Sequence, residues 1–222
     1  MTAFIRVEDV SKAFLEGSLE RRVLRGADLE IRRGEMTSLV GASGSGKSTL
    51  ISLLAGLMLP DSGRVVFDGD AITDMDDVSR AELRARRVGI VLQSGNLIPF
   101  LTATQNVELA LELGGQRDGA RAVELLTELG LGDRLDHLPR RMSGGESQRV
   151  SMAVALANHP DLLLADEVTG QLDSASAERV LDIIFDAWRR RGLTVLFVTH
   201  NPELAARAER RLVLDRGEVR DL

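Results

Sequence analysis

The 222-residue sequence contains no cysteine, which excludes a disulfide framework and any thiolate-bound metal. No apolar run reaches the roughly 18 residues that a membrane-spanning helix needs, so insertion into a bilayer is not expected. The opening stretch MTAFIRVEDVSKAF has neither an apolar h-region nor a small-residue cleavage site, and it predicts no export. A cytosolic setting fits these features. Internal repeats, low-complexity tracts and Pro- or Gly/Ser-rich linkers are also missing, which leaves one continuous fold. There is no excess of positive charge either. A formal charge of −6 argues against a broad nucleic-acid-binding face, because backbone binding depends on clustered Lys and Arg. The short basic runs at 84–87 and 189–191 read as solvated helix faces.

The composition, 44% hydrophobic and 28% charged, is that of a globular protein. The length suits one α/β domain with a sizeable core, or one core carrying a smaller inserted subdomain. Short β-type runs occupy 4–10, 23–31 and 36–40, and the last leads directly into GASGSGKST at 41–49. Residues 47–57 then show helical apolar spacing, stopped by PDSG at 60–63. RVVFDGDAI at 64–72 reads as two short strands around an Asp68–Gly69 turn, and 88–93 as a further strand. From 94 to 157 the pattern is predominantly helical, with helices expected at 103–113, 119–129 and 146–157. Two more strands, 161–166 and 193–199, flank a helical span at 174–190. Strands alternating with helices imply a mostly parallel sheet covered on both faces.

The loop at 41–49 fits G-x-x-x-x-G-K-[ST], with Gly41, Gly46, Lys47 and Ser48 in register. Chance alone produces such a match in roughly one chain of this length in a hundred. Its position between a strand and a helix adds weight. Glycines let successive N–H groups turn inward, and the helix start adds partial positive charge. Lys47 is suited to bridging β- and γ-phosphates, and the Ser48 hydroxyl to ligating Mg²⁺. The remaining loop residues, Ser43, Gly44, Ser45 and Thr49, complete the cradle. The bland alternative is a Gly-rich turn with a surface lysine.

LLLADE puts Asp166 and Glu167 at the end of an apolar strand, where open parallel sheets present ligand groups. Asp166 is assigned to Mg²⁺ and Glu167 to the attacking water, against the plainer reading of a helix N-cap pair. More than a hundred residues separate Lys47 from Asp166, room for the helical insertion. MSGGESQRV places Ser143, Gly144 and Gly145 at the mouth of another helix. This is either a well-capped helix or a second anion site, completing a nucleotide site on another copy.

GASGSGKST, Gln93, MSGGESQRV, LLLADE, the 171–173 run QLD and His200 together resemble the ATPases of ABC transporters, in order and spacing, over essentially the whole chain. The resemblance implies an α/β P-loop NTPase core of mostly parallel sheet, with an N-terminal antiparallel β subdomain. It sets the core at 1–93 and 158–222 and the inserted helical signature subdomain at 94–157 of a single domain spanning 1–222. It also implies ATP and Mg²⁺ as ligands, a second ATPase subunit packed head to tail, transmembrane permease subunits and a place on the cytoplasmic face of the membrane. Residue by residue, Ser143, Gly144 and Gly145 would contact the γ-phosphate held by the other copy, and Asp173 the opposing subunit. Gln93 would sense Mg²⁺ and water, and His200 would hold the γ-phosphate and orient Glu167. Phe14, a core residue by its pattern alone, falls where the family stacks an aromatic ring on adenine. His137 and His159 match no such position.

Two positions depart from the family pattern: Val168 replaces a usual proline, and Val154 a common arginine. Neither touches a group assigned to chemistry. The stretches 94–111 and 129–145 resemble the lipoprotein-releasing and macrolide-export branch, although amino-acid importers share related phrases. Soluble ABC ATPases of DNA repair or translation usually add coiled coils, zinc modules or a second cassette, and none is present here. An ATP-switched structural partner of a cell-division permease would look nearly the same in sequence.

Overall fold

The computed structural model describes residues 3–17, 19–93, 96–168, 170, 172 and 174–222. The chain forms two compact units, Met1–Ala81 with Thr194–Leu222, and Glu82–Leu193. In chain order the strands and helices begin with β1 (Ile5–Glu16), β2 (Leu19–Ile31), β3 (Met36–Val40), α1 (Lys47–Leu54), β4 (Ser62–Phe67), β5 (Asp70–Ala71) and α2 (Asp77–Arg87). There follow β6 (Val88–Val91), α3 (Ala103–Leu113), α4 (Gly119–Glu128), α5 (Gly144–Leu156), β7 (Leu162–Asp166) and α6 (Ser174–Arg191). The chain closes with β8 (Thr194–Val198), α7 (Pro202–Ala205), β9 (Arg210–Asp215) and β10 (Glu218–Asp221).

In the first unit, β1 pairs antiparallel with both β2 and β4, and β5 extends the sheet beyond β4. The alternation in β2 is what one buried face requires: Leu24, Ala27, Leu29 and Ile31 are buried while Arg25, Asp28 and Glu30 are exposed. Asp68 and Gly69 both take positive φ, 53° and 94°, as the expected Asp-Gly turn demands. A second sheet in this unit pairs β3 in parallel with β8 and β9, and β10 returns antiparallel along β9. All five residues of β8 are buried, as are the first four of β3, the signature of parallel strands covered on both faces.

The second unit pairs β6 in parallel with β7, whose residues are buried throughout. Its helices α3, α4 and α5 enclose an apolar cluster that includes Val107, Leu111, Leu125, Leu126, Leu131 and Val150. Each such side chain contributes roughly 1.5–3 kcal/mol on burial, and the 3.6-residue spacing aligns them on one stripe per helix. Thr102 starts α3 with a reciprocal capping box to Gln105. Val154 packs against the same cluster, so the missing arginine leaves an apolar residue on an apolar surface.

Several elements differ from the sequence expectation. β1 runs on to Glu16 and takes Phe14 into a strand. The β9–β10 hairpin and α7 have no counterpart in that expectation, and of α2 it reads only the basic run at 84–87 as a helix face. α2 buries none of its residues, so it carries no apolar stripe to read, and Arg84, Arg86 and Arg87 lie in its last turn, as a solvated basic face should.

A phosphate-loop face and a carboxylate face

In the first unit, β3 ends at Val40 and the chain turns at once into the loop that opens α1. Gly44 and Gly46 take φ of 73° and 109°, and a Cβ on Gly46 would lie 2.5 Å from Val23 Cγ1. Only glycine meets both demands. Lys47 is 5% exposed, and its ammonium donates to the carbonyl oxygens of Gly41 and Ala42, each at 2.9 Å. The lysine is thus held inside its own loop. Ser45 Oγ is buried without a hydrogen-bond partner, close to the Cα of Gly41. Ser43, Gly44 and Ser48 are exposed and Thr49 half-buried. α1 begins with no side-chain cap and no acidic residue in its first turn, so its free N–H groups and positive dipole end are unopposed. That combination fits an anion.

His200 belongs to the same unit and the same end of the sheet. Leu39 of β3 pairs with Val198 of β8, and the Thr199 amide donates to the Leu39 carbonyl at 3.3 Å. The exposed His200 therefore follows β8 just as the loop follows β3. Asn201 fixes the turn behind it: its amide donates to Thr199 Oγ1, and its side chain caps α7 through the Glu203 and Leu204 amides.

Phe14 is 39% exposed, too open for a core residue and suited to stacking a flat ring. Its cross-strand partner is Arg21, whose Nη2 donates to the Gly44 carbonyl at 3.2 Å. Sequence reasoning missed Arg21. The hairpin register is the signal that finds it.

In the second unit, Val91 of β6 pairs with Ala165 of β7 in parallel, so Gln93, Asp166 and Glu167 leave the same end of two neighbouring strands. Asp166 is 6% exposed. Glu167 takes φ of 49°, and its carbonyl accepts from the Gly170 amide at 3.0 Å. A positive φ at a non-glycine residue is uncommon, and this one turns the chain sharply as it leaves the strand. Val168 is buried, so the absent proline is replaced by packing. Asp173 and Gln171 lie outside the described residues.

Ser143, Gly144 and Gly145 start α5. Ser143 Oγ accepts from the Glu146 amide at 3.2 Å, and Glu146 Oε2 accepts from the Ser143 amide at 2.8 Å. The Ser143 hydroxyl also acts on the Glu146 carboxyl as a donor, more weakly than the Ser143 amide and Arg134. Arg134 Nε donates to the other oxygen of Glu146 at 2.8 Å. These contacts, led by the Ser143 amide and then by Arg134, pull the Glu146 carboxyl from 4.5 down to about 2. A Cβ on Gly145 would lie 2.6 Å from Ser176 Oγ, so the starts of α5 and α6 approach more closely than any side chain at 145 allows. His159, just past α5, has its pKa lowered first by burial and then by Arg121 and Arg191, as an ordinary packed histidine would.

Among the described residues no group of three or more His, Asp or Glu is placed to hold a metal, and no helix is long and apolar enough to cross a membrane. Mg²⁺ needs no such group, because it commonly takes one or two protein ligands and completes its shell with phosphate and water. The Ser48 hydroxyl and the Asp166 carboxylate are of the right hard-oxygen type.

Comparison with known proteins agrees over nearly the full length. The ABC transporter family profile matches residues 24–170. The ABC transporter ATP-binding protein YbbA of Escherichia coli (strain K12) is 46% identical, covering 98% of this chain and 96% of that protein. The lipoprotein-releasing system ATP-binding protein LolD 1 of Caulobacter vibrioides is 44% identical over 99% of this chain and 95% of its own length. The macrolide export ATP-binding/permease protein MacB of Brucella melitensis is 45% identical over 97% of this chain, which spans 34% of that larger protein. Among solved structures, the dimeric post-hydrolysis state of the ATP-binding cassette MJ0796 bound to ADP and Pi superposes with a TM-score of 0.93 at 37% identity, covering 98% of this chain and 97% of the other. With its glycine loop, its antiparallel N-terminal sheet and its parallel strands matched in this way, the chain belongs to the ABC transporter family as an ATP-binding protein of the LolD- and MacB-like branch.

Proposed function

We propose that the chain hydrolyses ATP as one half of a head-to-tail pair and so drives a separate permease at the cytoplasmic face of a membrane. The observation that carries this reading is the uncapped start of α1 inside a loop whose lysine is already drawn inward. A phosphate entering the loop takes over Lys47 as a donor in place of the Gly41 and Ala42 carbonyls, and backbone N–H groups at the start of α1 close on it. Ser48, Gln93 and Asp166 would hold Mg²⁺, which would supply positive charge against the negative charge of the phosphates. Glu167 accepts a proton from the attacking water, and His200 steadies the γ-phosphate and orients Glu167. Phe14 stacks on the adenine.

The signature turn supplies the other half. Ser143 turns its hydroxyl, and Gly144 and Gly145 their amides, to the γ-phosphate held by the second copy, while Asp173 contacts that copy. The dimeric form of the MJ0796 cassette supports the pairing. The relatives named for lipoprotein release and macrolide export support a task of that kind over solute import.

Calorimetry on Lys47→Ala tests the loop assignment. Loss of a charge-assisted contact worth roughly 1.5–3 kcal/mol weakens ATP binding by about tenfold or more. Unchanged affinity in a folded variant refutes it. Copurification from membranes tests the permease: a polytopic partner supports the reading, and ribosomes or DNA in its place refute it.

A further inference from the structure

The face of β2 that packs on the phosphate loop carries an arginine as well as apolar surface. Val23 lies against Gly46, where an added Cβ would meet Val23 Cγ1 at 2.5 Å and the Val23 carbonyl oxygen at 3.1 Å. Arg21, two residues back, projects from the same face of the strand, and Phe14 lies opposite it on β1. Arg21 Nη2 donates to the Gly44 carbonyl at 3.2 Å, and a Cβ on Gly44 would lie 3.0 Å from that nitrogen. The guanidinium therefore rests directly on the backbone of the loop.

The bonded carbonyl belongs to the Gly44–Ser45 peptide, whose N–H is held as well: it donates to the Ala42 carbonyl at 3.2 Å. In a trans peptide the two groups point in opposite directions, so a carbonyl held towards β2 turns the N–H away from it, across the loop. The same Ala42 oxygen accepts from the Lys47 ammonium at 2.9 Å. Two donors thus converge on one acceptor, whose place an entering phosphate takes. Rotation of the peptide would instead turn the Gly44 carbonyl towards the phosphate and repel it. Gly44, at φ of 73° and without a Cβ, opposes such rotation less than any other residue. Arg21 holds one end of the peptide and Ala42 the other, and a phosphate removes the Ala42 contact but not the arginine.

From this geometry we infer that Arg21 is a positioning residue for ATP: it braces the Gly44–Ser45 peptide with its N–H set for phosphate, and acts through the loop rather than on the nucleotide. The inference rests on the reading that the loop takes up phosphate. Its test begins with the nucleotide-free chain, in which solvent exchange of the Ser45 amide is read by NMR. Arg21→Ala should speed that exchange by about threefold to tenfold, and Arg21→Lys, which keeps a donor for the Gly44 carbonyl, should restore it. The melting temperature should stay unchanged, since Arg21 is exposed. Calorimetry should then show Arg21→Ala weakening ATP and inorganic tripolyphosphate by the same factor, about threefold to tenfold, with Arg21→Lys near wild type. Unchanged exchange at Ser45 overturns the inference, whatever the affinities. So does a loss confined to ATP, which would put Arg21 on the nucleoside rather than on the loop. Lys47→Ala separates the two readings. Wild-type ATP affinity there refutes the nucleotide site, while faster Ser45 exchange in Arg21→Ala still supports the brace. An impaired Lys47→Ala beside an unaffected Arg21→Ala refutes the brace alone.

Discussion

Replacing Glu146 separates the capping of the signature turn from its charge. Glu146 accepts from the Ser143 amide and from Arg134, and its side chain is 20% exposed. Its carboxyl titrates near 2 in the folded chain against 4.5 ordinarily. Converted by linkage, such a shift has a ceiling of roughly 3 kcal/mol. Solvent screening at a helix start on the surface reduces this to about 1 kcal/mol. Because the folded-state pKa is depressed, the contribution is complete above the unfolded value and is lost as pH falls from about 5 towards 2. Glu146→Gln keeps an acceptor for the Ser143 amide and loses only the charge. It should cost about 1 kcal/mol at pH 7 and nothing near pH 2. Glu146→Ala also loses the reciprocal bond and should cost about 1 kcal/mol more at either pH. Urea denaturation of the three chains at pH 7 and at the lowest pH where the wild type stays folded measures both differences. A Gln variant as stable as wild type at pH 7, or one whose deficit is unchanged in acid, refutes the assignment of the shift to Arg134 and the Ser143 amide.

Other expectations follow from the first unit. Gly46→Ala forces a Cβ to within 2.5 Å of Val23 Cγ1 at a φ of 109°, and should cost about 1–3 kcal/mol in urea denaturation together with ATP binding. Wild-type stability and affinity would show that the loop does not need this close approach. Phe14→Ala should weaken ATP binding by roughly 1–3 kcal/mol, while Phe14→Tyr restores it and neither changes the melting temperature appreciably. Equal binding by Phe14→Ala in calorimetry would remove Phe14 from the adenine site.

The sequence disclosed those parts whose physics is local. The glycine loop, the apolar runs of β3, β7 and β8, and the Ser143–Gly145 helix start each carry a pattern set by one element. What stayed hidden depends on pairing across the chain. Arg21 reaches Gly44 only because β1 and β2 register it opposite Phe14, and several register shifts along β1 prevent that alignment from being counted off the sequence. The β9–β10 turn uses Arg216–Gly217 where Asn-Gly or Asp-Gly would have announced a hairpin. Helix α2 buries nothing, so it shows no apolar period. Of the two departures from the family pattern, Val168 is buried and Val154 is half-buried against the apolar helical cluster.

The central claim is that one copy holds ATP while hydrolysis needs the signature turn of a second. The most direct measurement is the mass of Glu167→Gln by light scattering, with and without saturating ATP, since removing the base traps the step after binding. The account predicts a monomer without nucleotide and a doubled mass with ATP. A chain that binds one ATP, turns it over at the wild-type rate and remains monomeric would contradict it.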